Sequence, residues 1–273
     1  MTQDAPSISF DINGQTHVLA LPAAETDIPS LFVIGLPKAG STLFNRIMRP
    51  ICQKAGLALL PWHNMLREFG ILPNDFPDTL GKLYQPRGYA FVGFRGLSPK
   101  ERLPGFANGR TVYLVRDPRD MVVSQYFSLA YSHPPPGTVA DDTLLKAFEA
   151  ERRELRQTSI DEYVLSTAPA VRQKYLETTS ALAEIEHRVW RYEDVVFDKL
   201  NWISKVVAYL ELDVPEAFVA NVVARNDIAP QSENKHEHIR KVTPGDHKDK
   251  LEAGTVAALN KIFDPILTAH DYR

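Results

Sequence analysis

The segment Gly35-Leu36-Pro37-Lys38-Ala39-Gly40-Ser41-Thr42 carries the clearest chemistry in the chain. It follows a continuous apolar run, Leu31-Phe32-Val33-Ile34. It leads into Leu43 to about Lys54, where Phe44, Ile47, Met48 and Ile51 recur at helical spacing. A glycine-bounded turn between a buried strand and a helix presents backbone N–H groups to an anion, together with about half a positive charge from the helix N-terminus. The phosphate loop of nucleoside triphosphatases reads G-x-x-x-x-G-K-S/T, with lysine after the second glycine. Here Ser41 holds that position and the lysine is Lys38, inside the loop. The spacing predicts a phosphate cradle whose cation approaches from the other side of the anion, and points away from hydrolysis of a terminal phosphate. A tight turn with a surface lysine is the plainer alternative.

A second constellation follows the apolar run Val112-Tyr113-Leu114-Val115 and reads Arg116-Asp117-Pro118-Arg119-Asp120-Met121-Val122-Val123-Ser124. A nucleotidase would end such a strand in a carboxylate that holds magnesium. This strand ends in Arg116, a forked donor suited to phosphate. Ser124 stands further along, on a helix expected from Met121 to Leu129. Asp117 and Asp120 read as caps of that helix, with Asp117 as a magnesium ligand the alternative. The pattern favours anion recognition without a metal.

These residues need a frame to hold them. Residues 7–20 alternate around Asn13-Gly14, a hairpin signal, and Pro22 and Pro29 punctuate the approach to the first buried run. Residues 1–29 are thus an N-terminal hairpin and lead-in. Further strands are expected to end near Leu60 and to cover 90–94, 112–115 and 188–192. Helices are expected over 141–158, 170–187, 195–211, 215–224 and 252–269, with 226–250 a polar loop and the charged run Glu149–Glu154 a solvated face. Strands that alternate with helices predict an α/β fold: a three-layer sandwich, its mostly parallel central sheet covered by helices on both faces, with a P-loop-like nucleotide site. No linker divides the 273 residues, so one domain spanning 1–273 is expected. Thirty-one Lys and Arg against 34 Asp and Glu give a net charge of -3, which leaves no global field to attract nucleic acid. Any anion site must therefore be local. The single cysteine, Cys52, rules out an intramolecular disulfide and suits a reducing compartment. With neither a basic-apolar leader nor a run of about 18 apolar residues, the expectation is a cytoplasmic protein without a membrane span.

Taken in order, the motifs resemble those of sulfotransferases that use 3′-phosphoadenosine 5′-phosphosulfate (PAPS). Pro37–Thr42 is similar to the family's P-K-S/A-G-S/T-S/T loop, and Arg116 with Ser124 to its 3′-phosphate motif. Tyr192-Glu193-Asp194 is similar to its Y-E-D element, and Arg240-Lys241-x3-Gly245-Asp246-x-Lys248 to its R-K-G-x-x-G-D-W-K segment. The chain departs at Leu43, where a tryptophan often stacks on adenine, at Val242, where the family has glycine, and at His247, where it has tryptophan. The resemblance implies sulfuryl transfer from PAPS to a hydroxyl or amine of a small-molecule or carbohydrate acceptor, with PAP released and no metal used. It implies that Pro37, Lys38, Ala39, Gly40, Ser41 and Thr42 hold the 5′-phosphosulfate. Arg116, Ser124, Arg240 and Lys241 would hold the 3′-phosphate, and Tyr192 would contact adenine. Lys38 would also be catalytic, stabilising charge on the leaving phosphate and the sulfuryl oxygens.

A base must take the acceptor's proton. The cytosolic branch of the family carries a histidine where this chain reads Val92-Gly93-Phe94-Arg95-Gly96-Leu97. A strand ending near Leu60 would instead bring His63 to the carboxyl edge of the sheet, where ligands of α/β folds bind. The ordinary histidine pKa of about 6.5 suits proton abstraction near neutrality. Glu68 and His133 are the alternatives. The rival readings are a P-loop kinase or nucleotidase with a shifted lysine, and a catalytically degenerate nucleotide-binding module.

Overall fold

The computed structural model describes residues 6–12, 15–71, 76, 78–98, 101, 109–135, 142–228, 232–237 and 240–272. They fall into two compact units, one formed by Met1–Val115 with Lys174–Asp227 and the other by Arg116–Gln173 with Ile228–Arg273.

The first unit opens with an antiparallel hairpin, β1 (Ser7–Ile12) and β2 (Gln15–Ala20), whose register sets Ile12 opposite Gln15. The connecting Asn13-Gly14 lies outside the described residues. Five further strands form one sheet: β3 (Leu31–Gly35), β4 (Ala58–Pro61), β5 (Tyr89–Arg95), β6 (Arg110–Val115) and β7 (His187–Arg191). Their order is β4-β5-β3-β6-β7, and every pairing is parallel. The central strand β3 is buried at all five positions, as a continuous apolar run requires when both sheet faces are covered. The edge strands β4 and β7 are more exposed, and β7 is also more polar.

Helices α1 (Ser41–Lys54), α2 (Trp62–Glu68), α6 (Tyr192–Val195), α7 (Lys199–Tyr209) and α8 (Glu216–Asn226) belong to this unit, with the C-terminal half of α5 (Ile160–Leu182). Successive strand residues point to opposite faces. Tyr113 lies beside Thr179 of α5, whereas Leu114 points at Gly40, where α1 begins. The two helices therefore cover opposite faces, the layered arrangement expected from the alternation of elements. Phe44 of α1 packs on Trp202 of α7 with ring centroids 4.8 Å apart, both fully buried. Burial of an aromatic of this size contributes about 2–3 kcal/mol. Cys52, also on α1, is buried, and desolvation raises its thiol pKa to about 12.

The second unit holds α3 (Pro118–Phe127), a π turn at Ser128–Ser132, α4 (Asp142–Gln157), the first half of α5, α9 (Asp246–Lys250) and α10 (Ala253–Ala269). Arg119 ties it together. Its guanidinium grips Asp117 and also donates to Asn260 of α10 at 2.7 Å and to the Tyr272 carbonyl at 2.6 Å.

Four expectations change. One helix, α5, runs through Pro169 where separate structure was expected before residue 170. A short helix, α9, interrupts the expected 226–250 loop. Tyr192 opens α6 and does not end a strand. The 149–154 run is not wholly solvated: Arg152 donates to the carbonyl of Leu129 at 3.1 Å, and one turn on, Arg156 donates to that of Ala130 at 2.7 Å. Both carbonyls belong to the π turn, whose backbone needs such partners.

Candidate active site

Because the sheet is parallel, all its strands end on one edge, and four of the candidate residues follow strand ends. Lys38 follows β3, His63 follows β4, Arg116 follows β6 and Tyr192 follows β7. Register aligns Gly35 with Arg95 on one side of β3 and with Leu114 on the other. This is the edge at which ligands of open α/β sheets bind.

Two left-handed residues shape the loop after β3. Gly40 has φ 86°, and Lys38, with a side chain, has φ 65°. A non-glycine residue in this region stores strain, and such residues concentrate at ligand clamps. Gly40 is fixed for a second reason, since a Cβ there would stand 2.8 Å from the Tyr192 ring. Tyr192, 7% exposed, is thus the wall on which the loop rests. The N-terminus of α1 has neither a side-chain cap nor an acidic residue in its first turn. Its backbone donors and its dipole remain available to an anion, with Ser41 and Thr42 at the mouth.

His63 is tightly held. Its Nδ1 accepts the Arg95 backbone N–H at 3.1 Å, so the ring proton resides on Nε2 and is donated to Glu101 Oε1 at 2.7 Å. The second Glu101 oxygen accepts the Ser98 N–H at 2.6 Å, and the carboxylate side chain is fully buried. Both imidazole nitrogens are therefore engaged. Glu101 was not expected, and no pattern around His63 announces it. Of the alternative bases, Glu68 ends α2 exposed, and His133 follows the π turn with its ring against Phe148 in the second unit. Arg95, within the stretch that corresponds to the histidine-bearing one of the cytosolic branch, is exposed; desolvation and the nearby Arg67 lower its pKa.

In the second unit the paired caps separate. Asp117 caps α3 by accepting the Arg119 N–H at 2.9 Å, and its carboxylate also takes the Arg119 guanidinium. A carboxylate committed in this way is a poor magnesium ligand. Asp120 does not cap. It faces Arg116 at 3.8 Å and accepts the Gly245 N–H at 2.7 Å, the His247 N–H at 3.0 Å and His247 Nδ1–H at 2.7 Å. Burial pushes its pKa up, but the hydrogen bonds from His247 and the Arg116 charge outweigh burial and hold the carboxyl at about 2. Asp120 thereby joins α3 to the 240–248 segment. Arg116, Asp120 and Ser124 recur every fourth residue, but that spacing carries no signal for the 240–248 segment.

Arg240 and Lys241 are not bare cations. Arg240 lies over the Phe127 ring, 4.2 Å from its centroid, and is paired with Glu233 and Asp246. Lys241 is shared by Asp246 at 3.1 Å and Asp249 at 3.0 Å. Burial acts to lower the Lys241 pKa, but these carboxylates raise it overall.

The first unit is thus a parallel α/β sheet with a left-handed turn, at Lys38 and Gly40, between its central strand and α1. The sulfotransferase domain model matches residues 105–271, more than half of the chain and parts of both units. The chain belongs to the sulfotransferase family and is a transferase of that class. Mouse sulfotransferase SULT7A1 complexed with PAP is 14% identical, with a TM-score of 0.56 over 88% of this chain and 84% of that one. Retinol dehydratase in complex with androsterone and inactive cofactor PAP is 16% identical, with a TM-score of 0.49 over 87% and 80%. At such identity the likeness to the mouse enzyme establishes the fold. No curated protein sequence matches the chain. Among the described residues no helix is long and apolar enough to cross a membrane.

Proposed function

We propose that the chain transfers the sulfuryl group of PAPS to a hydroxyl or amine of a small-molecule or carbohydrate acceptor by in-line displacement, releasing PAP. The observation that carries this reading is the loop at 37–42: two left-handed residues, an uncapped helix N-terminus and an internal lysine. Lys38, Ser41, Thr42 and the backbone of Pro37, Ala39 and Gly40 would hold the 5′-phosphosulfate and neutralise the leaving phosphate without a metal. Arg116, Ser124, Arg240 and Lys241 would take the 3′-phosphate, and Tyr192 would contact the adenine. His247 Nε2 is buried and lacks a hydrogen-bond partner among the described residues, which fits a site that gains a polar group on binding.

His63 is the base in this reading, and Glu101 its orienting partner. Glu101 keeps the proton on Nε2 and leaves Nδ1 as the basic atom, and the Arg95 N–H must yield that lone pair to the acceptor hydroxyl. The two units act as a single sulfotransferase domain. The buried cysteine suits the cytoplasm.

Calorimetric titration tests the donor assignment. PAP is expected to bind, AMP (without the 3′-phosphate) to bind much more weakly, and Arg116→Ala to lose most of the difference. Preference for ATP with magnesium over PAP would overturn the reading.

A further inference from the structure

Three cations of the second unit, Arg240, Lys241 and Lys250, share three carboxylates. Arg240 pairs with Glu233 and Asp246, Lys241 with Asp246 and Asp249, and Lys250 with Glu233 at 2.8 Å. Arg240 and Lys250 both face the Phe127 ring, at 4.2 and 5.8 Å. The three acids differ in kind. Asp246 is 1% exposed and, with Asp249, belongs to α9, so both are part of the local framework. Glu233 reaches Arg240 from the segment 232–237, with its side chain 29% exposed. Burial acts to raise its pKa, but Lys250 and Arg240 hold it below the usual carboxylate value, so it is ionised at neutral pH.

We propose that Glu233 is an internal competitor for the donor's 3′-phosphate: it occupies Arg240 when no nucleotide is bound and must be displaced for the phosphate to enter. The inference rests on the assignment of Arg240 to the 3′-phosphate. A carboxylate and a phosphate both accept the forked donors of a guanidinium, so the two compete for the same face of the same side chain. The doubly charged phosphate wins the exchange, but the net gain is reduced by the ion pair given up. The competition weakens PAP binding and returns a partner to Arg240 as product leaves. Product release limits turnover in many enzymes, and a site that binds the same bisphosphate in donor and product benefits from such a device. AMP has no 3′-phosphate and is indifferent to Glu233.

The test is calorimetry with PAP and AMP on wild type, Glu233→Gln, Glu233→Ala and Arg240→Gln. Both Glu233 variants are expected to tighten PAP by roughly tenfold, the scale of one charge-assisted hydrogen bond no longer exchanged, with AMP unchanged. Steady-state assays should show correspondingly stronger inhibition by PAP. PAP affinity that stays the same or falls in both variants, while Arg240→Gln weakens it, would overturn the competitor role. If wild type binds PAP no better than AMP and Arg240→Gln changes nothing, the underlying 3′-phosphate assignment fails instead.

Discussion

Replacement of Asp120 by asparagine removes a charge while keeping the side chain's shape. The carboxyl pKa lies at about 2 against an ordinary 3.8, because His247 and Arg116 favour the ionised form by more than burial disfavours it. A pKa unit corresponds to about 1.4 kcal/mol, so this depression contributes about 2–3 kcal/mol of stability at neutral pH. A depressed carboxyl stabilises the fold fully above the unfolded-state pKa, and the contribution fades as pH falls toward the folded value. By pH 3 about half of it is gone. Asparagine would also turn an N–H toward the Gly245 or His247 amide, adding an unsatisfied donor. Urea unfolding of wild type and Asp120→Asn at pH 7, 5 and 3 should therefore show a deficit of at least about 2 kcal/mol at the two higher values and a smaller one at pH 3. A deficit under about 1 kcal/mol at pH 7, or one that does not change with pH, would refute the electrostatic account.

Other substitutions test the loop and the imidazole. Lys38→Ala should abolish turnover while PAP still binds, since the lysine's main effect is on charge that develops in transfer; full activity would remove it from the mechanism. Gly40→Ala should lower stability by about 1–2 kcal/mol from backbone strain alone. It should lose more through the clash with Tyr192, and thermal unfolding of the Gly40→Ala, Tyr192→Ala double variant should recover that second part. Glu101→Gln should lower kcat by about a hundredfold with little change in the donor KM. Unchanged kcat in a folded variant would show that the pair serves only to hold the strand ends.

Much of the frame was legible because its signals are local. Leu31–Ile34 and Val112–Val115 are apolar without interruption, and only a strand covered on both faces suits that pattern in so few residues. The loop after the first run and the arginine after the second followed from sequence adjacency. The helix expected from residue 170 begins earlier, at Ile160, and carries Pro169 inside it, although proline normally marks a helix boundary. The partners of the candidate residues were hidden for a different reason. His63 and Glu101 are 38 positions apart, and Asp120 meets residues 125 and 127 positions away. No periodicity encodes such pairings. Arg240 and Lys241 likewise read as bare cations because spacing identifies a charge but not the acids folded against it.

Cys52 is the only thiol in the chain, and it is sealed within α1 with its ionisation pushed to about 12. At neutral pH almost none of it is thiolate, the form that reacts with maleimides, disulfides and peroxide. The folded protein should thus behave toward such reagents as though it had no cysteine. A single cysteine placed at an exposed position, such as Thr42 at the loop mouth, would be the sole labelled site without removing the native one. A dye placed there would report on ligand arrival at the cost of one hydroxyl assigned to the 5′-phosphosulfate, and slow labelling of Cys52 would measure how often the sheet's covering helix opens.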